Sequence, residues 1–329
     1  MKKILAVGNA LVDMLIRIEA EGLLDSLNLP RGCMTLIDEP QLQRIQELTA
    51  TLPRQQASGG SAANTVHGLA SLGVPCGYIG MVGNDTFGRY FLQDLTEHGI
   101  RAWLPNGTRQ TGRCVSLISP DGERTMATFL GAAIELAAEN LNPDLFSGYD
   151  LLHIEGYLVQ NHPLIERALQ LAKAAGLEVS LDLSSANVVR DNLAFLHRLV
   201  ERYVDIVFAN EDETAAFTGK SDPREALIEI SPKCKLAVIK IGRRGSLVQQ
   251  NQRCYPITCQ PAEAVDTTGA GDLYASGFLY GLSRDFPLET CGRIGSLVAA
   301  RVVEVIGARM DQPIWNAIKT ELAKLDQPA

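Results

Sequence analysis

Short apolar runs recur along the chain, and between them apolar residues return every three or four positions. Residues 3–7 read as a buried parallel strand ending at Gly8-Asn9. Residues 11–18 and 33–37 follow as strands on either side of a looser stretch holding Gly22, Asn28, Pro30 and Gly32. Leu42, Ile45 and Leu48 predict a helix over 39–49, and another helix starts near Gly60. Residues 78–82 repeat the buried-strand pattern before a helix that Asp85 caps and that reaches His98. Residues 113–119 and 124–129 flank Pro120-Asp121-Gly122-Glu123 and predict a β-hairpin. After Asn140 the alternation is regular, with strands over 151–154, 178–183, 205–209 and 236–241. Helices over 163–175, 190–202 and 222–230 separate them, the first marked by Pro163 at its start and Gly176 past its end. Such alternation predicts an α/β fold, a mostly parallel central sheet with helices on both faces. The hairpin and the strands of 11–37 would form a smaller, separate sheet. There is no internal repeat, and residues 326–329 are expected to fray.

Composition narrows the class. With 329 residues, 46% of them hydrophobic, the chain can bury a substantial core, and a single domain over 1–329 is expected. A formal net charge of -8 argues against nucleic acid or an anionic membrane as the main partner. The seven cysteines are scattered, odd in number and without a C-x-x-C pair, as in a cytoplasmic protein with reduced thiols. The first residues faintly imitate a signal peptide, but Asp13 and Arg17 interrupt the apolar run, and a buried strand fits better. No stretch is long and apolar enough to span a membrane.

The candidate chemistry centres on Asp266-Thr267-Thr268-Gly269-Ala270-Gly271-Asp272, a small-residue turn opening onto an apolar helix. Gly269 and Gly271 leave backbone N–H groups uncovered, and the helix start adds more donors, which suits phosphate oxygens. A carboxylate there repels bound phosphate, so Asp272 needs another role. It is either a helix cap or the general base for a hydroxyl attacking a terminal phosphate. A second stretch, Ser58-Gly59-Gly60-Ser61-Ala62-Ala63-Asn64-Thr65, lets a ligand approach backbone at Gly59 and Gly60 and offers Asn64 to sugar hydroxyls. Lys240-Ile241-Gly242-Arg243-Arg244-Gly245 ends a strand, where open α/β sheets bind nucleotides. Gly242 and Gly245 would admit ribose and adenine there, and Lys240 would meet phosphate.

Three other patterns fail or weaken. Gly219-Lys220-Ser221 mimics the end of a P-loop, but Thr214 stands where the pattern needs glycine. No G-x-G-x-x-G follows the first strand, which removes the main support for a nicotinamide-dependent dehydrogenase. Gly59-Gly60-Ser61-Ala62-Ala63 resembles a nucleophile elbow with its last glycine replaced, so a serine hydrolase stays as an alternative. It would need one of His67, His98, His153, His162 or His197 as base.

The di-glycine with Asn64 four residues on, and the D-T-x-G-A-G-D stretch, together resemble the two signature segments of the PfkB (ribokinase-like) kinase family. Gly8-Asn9-Ala10-Leu11-Val12-Asp13 and Gly307-Ala308 extend the resemblance over the whole length. Gly8-Asn9-x-x-x-Asp13 and Gly122-Glu123-Arg124-Thr125 make it most similar to the adenosine-kinase-like branch. The resemblance implies a ribokinase-like fold whose small β-sheet, from segments 11–37 and 110–130, is a lid over a sugar. It implies Asp13, and with it Asn9, as sugar-binding, and Arg124 as a lid arginine that neutralises the phosphoryl group in transfer. Asn210 and Glu213 match the family's N-x-x-E element, which organises Mg²⁺ through water. Gly307 and Ala308 would wall the adenine, although Ser296 stands where many members have Asn. Asp266 and Thr268 are placed to support a monovalent cation such as K⁺, and Tyr157 stands where adenosine kinases carry aromatics that flank the base.

The expectation is therefore an ATP- and Mg²⁺-dependent kinase acting on a primary hydroxyl of a ribose-like acceptor, a nucleoside such as adenosine or a free sugar. Asp272 would be the base, Gly269-Ala270-Gly271 the anion hole, and Thr267 part of the nucleotide site. The non-enzymatic alternative is a catalytically silent sensor on the same fold. Monomer and homodimer both remain open.

Overall fold

In the computed structural model, which describes residues 1–19, 22–120 and 123–324, the alternating runs build a nine-stranded sheet. Its order is Arg253–Ile257, Ser246–Gln250, Leu236–Lys240, Ile206–Asn210, Glu178–Asp182, Leu151–Glu155, Ile4–Val7, Cys76–Ile79 and Arg101–Trp103. All neighbours pair parallel except at the first two strands, which form an antiparallel hairpin on one edge. Strands such as Ile4–Val7 are buried at every position, because helices cover both faces. On one face lie Ser61–Ser71, Ala270–Ser283 and Leu288–Val302; on the other His162–Ala174 and Leu193–Tyr203.

Ala270–Ser283 is apolar nearly all round and runs buried between two helices. Small residues permit that approach. A side chain at Gly277 would meet the Ile294 carbonyl at 2.8 Å, and one at Gly68 would overlap Ser276 Oγ. The Gly68 contact seats Ser61–Ser71 close against Ala270–Ser283, which fixes how their first turns face each other.

A second sheet has the order Met34–Leu36, Arg124–Phe129, Gly112–Ile118, Leu11–Arg17, Arg54–Gly59. The ribokinase-like arrangement of a large, mostly parallel sheet with a smaller one is present. Part of the hairpin turn, Asp121-Gly122, and the 326–329 tail lie outside the described residues.

Several elements differ from the sequence expectation. Arg54–Gly59 (RQQASG) has no apolar alternation, yet pairs antiparallel along Leu11–Arg17. The looser stretch contains a short helix, Gly22–Ser26. Residues 78–82 are two strands, Cys76–Ile79 and Val82–Gly83, broken at Gly80-Met81. The helix over 190–202 is also two, Ala186–Asp191 and Leu193–Tyr203, where Asn192 leaves the helical backbone conformation (φ -124, ψ 21) and its side-chain amide donates to Val188 O at 3.0 Å. Asp85 caps its helix as expected, accepting from Gly88 N at 2.8 Å.

Candidate active site

The carboxyl ends of neighbouring strands supply much of the polar surface of a cleft of about 1890 Å³ between the two sheets. Glu155, Asp182, Asn210 and Lys240 are each the last residue of a central strand, with Glu155 beside Asp182 and Asn210 beside Lys240. A polar residue closing an apolar strand is the signal that marks this edge.

Asp272 stands on the first turn of Ala270–Ser283, just past Gly269 in the left-handed conformation (φ 74). Its Oδ1 accepts from Ser61 Oγ at 2.7 Å and its Oδ2 from Asn64 Nδ2 at 2.9 Å. The two stretches singled out in the sequence thus meet at one carboxylate, while Asn64 Oδ1 is buried without a partner. Burial pushes the Asp272 carboxyl up to about 6, against the two hydrogen bonds that lower it. Its place at a helix start favours the ionised form, but desolvation outweighs that effect, and the group is still mostly ionised at pH 7.

Asp13 lies in the same cleft on Leu11–Arg17, also pushed up to about 6 by burial, with Arg309 and Arg124 opposing. Gly59 and Gly60 make room for it. A side chain on Gly59 would overlap the Asp13 carboxylate, and one on Gly60 (φ 99) would overlap Asn9 O. Asn9 is committed to Glu155, donating from its backbone N at 2.9 Å and from Nδ2 at 2.6 Å to Oε1. Glu155 also accepts from Ala62 N at 2.9 Å, and burial raises it to about 7. This tie between the first strand and the Ser61–Ser71 helix leaves Asn9 with less to offer a sugar than its motif implies.

Arg124 reaches from the smaller sheet to the turn before Asp272. Its Nη1 is 2.9 Å from Asp266 Oδ2 and donates to Thr268 Oγ1 at 2.5 Å; its Nη2 is buried without a hydrogen bond. Asp266 also accepts from Thr268 N at 3.0 Å and Gly307 N at 2.6 Å. A monovalent cation at Asp266 and Thr268 would therefore have to displace a guanidinium. Gly307 (φ 84) and Ala308 line the cleft beside Thr267 and Gly269.

Lys240 Nζ is 2.8 Å from Asp182 Oδ2, and would lie 3.0 Å from a side chain at Gly271. Burial alone would lower it; Asp182 and Glu213 hold it above its ordinary value. Asn210 and Glu213 form a reciprocal helix cap, Glu213 N donating to Asn210 Oδ1 at 2.9 Å and Asn210 N to Glu213 Oε2 at 2.7 Å. Burial raises Glu213 to about 7. Direct ligation of a metal by either would break that cap, so both fit Mg²⁺ through water, the mode this ion favours.

Gly242 borders the cleft, but Gly245 does not. It is a turn glycine (φ 95) whose side chain would overlap Ile257 O, so its backbone geometry accounts for it. Ser296, buried, donates to Thr258 O at 3.3 Å and accepts from Gln260 N at 2.9 Å, so it braces the chain. Tyr157 lines the cleft, partly packed among aliphatic residues. Arg309, not foreseen, is half-buried with its Nη2 donating to Ser58 O at 2.6 Å and Ser58 Oγ at 2.8 Å. The serine-hydrolase alternative fails on geometry: Ser61 donates to Asp272, and among the described residues His67 and His98 bond Asp94, His153 Ser180, His162 Asn192 and His197 Lys233.

Comparison with known proteins places these contacts among relatives. The model of the pfkB family of carbohydrate kinases matches residues 38–315. The solved structure of a probable sugar kinase from Rhizobium etli superposes with a TM-score of 0.88 at 35% identity, covering 97% of this chain and 98% of that one. Adenosine kinase from Sinorhizobium meliloti matches with a TM-score of 0.88 at 34% identity, over 97% and 99%. A 5-dehydro-2-deoxygluconokinase of Clostridium perfringens is 28% identical over 81% of this chain and 84% of its own.

Proposed function

The chain belongs to the pfkB family of carbohydrate kinases, phosphotransferases with an alcohol acceptor, and we propose that it phosphorylates a primary hydroxyl of a ribose-like ring with ATP, a nucleoside before a free sugar. One observation carries the reading: the Asp272 carboxylate, clamped by Ser61 and Asn64 beside a glycine turn, shares a cleft with Asp13.

In the proposed reaction the smaller sheet closes as a lid and Asp13 accepts hydrogen bonds from ring hydroxyls. Asp272 then takes the proton of the attacking hydroxyl as its oxygen bonds to the terminal phosphorus and the bond to the bridging oxygen of ADP breaks. The N–H groups of Gly269, Ala270 and Gly271, with the spare Nη2 of Arg124, hold the phosphoryl oxygens. Lys240, Thr267, Gly242, Gly307 and Ala308 bind the nucleotide. Asn210 and Glu213 would hold Mg²⁺ through water, and the ion would supply neutralisation of phosphate charge.

Tyr157, an aromatic lining the cleft, favours a nucleoside, since it can flank a base. ADP release measured over a panel of nucleosides and sugars tests this. Faster turnover on adenosine than on ribose or a ketose is expected. A free sugar as the best acceptor would overturn the nucleoside assignment, and ATP binding without turnover on any acceptor would leave a silent sensor.

A further inference from the structure

One cluster of ligating side chains is not used by the reaction. His67 comes from helix Ser61–Ser71; Asp94 lies in helix Thr86–Glu97, and His98 is that helix's C-cap. Four residues apart, Asp94 and His98 share one helix face, turned toward His67. His67 Nε2 is 2.9 Å from Asp94 Oδ2, and His98 Nδ1 is 3.5 Å from Asp94 Oδ1. One ligand atom from each residue lies within 4.8 Å of the others, and the two imidazole centroids are 3.9 Å apart at 51°. A tetrahedral ion with bonds near 2.1 Å sets its ligands about 3.4 Å apart, inside that spread. A hydrogen bond between His67 and Asp94 needs no second imidazole folded against the first.

The surroundings resemble the outer shell of a metal centre. Ser58 Oγ donates to the Asp94 carboxylate, and Arg309 Nη2 in turn holds Ser58 Oγ at 2.8 Å, which fixes how Asp94 is presented. The His98 side chain is 41% exposed, opening the cluster to solvent. We propose that His67, Asp94 and His98 bind a zinc-class divalent ion, with water completing the coordination. Two imidazoles and one carboxylate select zinc, cobalt or nickel over magnesium. Through Asp94, Ser58 and Arg309 the bound ion connects to the acceptor side of the cleft, where the charge of Arg309 acts on Asp13.

The test uses the full chain, freed of metal with a chelator and titrated with Co²⁺ or Zn²⁺. One equivalent of Co²⁺ is expected to saturate, with tetrahedral d–d absorption and no thiolate charge-transfer band. Zn²⁺ is expected to displace it and raise the unfolding temperature. His98→Ala, at a half-exposed position, should weaken binding about tenfold or more and abolish the zinc-dependent rise; His98→Gln serves if that variant does not fold. No saturable binding, a charge-transfer band marking cysteine ligands, or unchanged affinity in the His98 variant would each overturn the proposal.

Discussion

Replacing Asp272 by Asn keeps the side chain's shape and removes its ability to take a proton. Two contacts hold the native carboxylate, Ser61 Oγ at 2.7 Å and Asn64 Nδ2 at 2.9 Å. The new amide can keep its oxygen toward Ser61 and present its NH₂ to Asn64. That residue then turns over, and the Oδ1 left unpaired in the native chain becomes the acceptor. The fold and ATP binding should therefore survive, because a partly buried charge is lost and the number of unpaired groups does not rise: the turned Asn64 leaves Nδ2 unpaired where Oδ1 was unpaired before. The general base typically contributes 10²–10⁴ in rate, so the barrier should rise by about 3–5 kcal/mol. ADP release with the best acceptor gives turnover, and a fluorescent ATP analogue gives binding. In the native protein kcat/KM should also fall with pH below about 6, where the Asp272 carboxyl is placed. The residual activity of Asp272→Asn should lack the Asp272 part of that fall. Near-native turnover in the variant, with ATP binding intact, would refute the base assignment.

The remaining predictions test the surroundings of that carboxylate. Arg124→Ala removes the bridge to Asp266 and Thr268, should lower kcat by about 10²–10³, and should also lower the unfolding temperature, because the buried Asp266 carboxylate loses its ion pair; a change confined to KM would show that the arginine only binds. Gly59→Ala, whose methyl would overlap the Asp13 carboxylate, should destabilise the fold by about 1–3 kcal/mol and raise the acceptor KM more than that of ATP, measured by urea unfolding and steady-state kinetics. Between pH 6.5 and 8 the buried His67 and His153, both lowered to about 4, are neutral in the folded chain and lose only the remaining half of their charge in the unfolded one, a smaller opposing effect. In that range Glu155 and Glu213 dominate. Both are raised to about 7 from 4.5, so their contribution is complete below pH 4.5 and is lost as pH rises through 7. Urea midpoints should therefore fall from pH 6.5 to 8, and a rise would contradict the burial argument.

The parallel strands ending at Glu155, Asp182, Asn210 and Lys240 were legible because each is a short apolar run closed by a polar residue, and the turn before Asp272 was legible because it is made of small residues; Arg101–Trp103, three residues long and polar at its start, was not. Arg54–Gly59 was not, since RQQASG owes its strand state to a neighbour far along the chain rather than to its own pattern. Glu155 and Arg309 escaped for a related reason. Their roles exist only through partners, Asn9 and Ala62 for one and Ser58 for the other, that sequence spacing does not pair. Gly245 erred the opposite way, because a glycine that serves a turn and one that admits a ligand look alike in sequence.

Ser61 Oγ and Asp272 are 211 residues apart in sequence yet hydrogen-bonded. During synthesis the helix carrying Ser61 and Asn64 emerges long before the carboxylate it will hold, so a ribosome-bound chain stalled before Gly269 has no proton acceptor at its phosphate turn. Catalytic competence then cannot precede the synthesis of Asp272, and two co-expressed halves split between these segments would regain turnover only by reassociating.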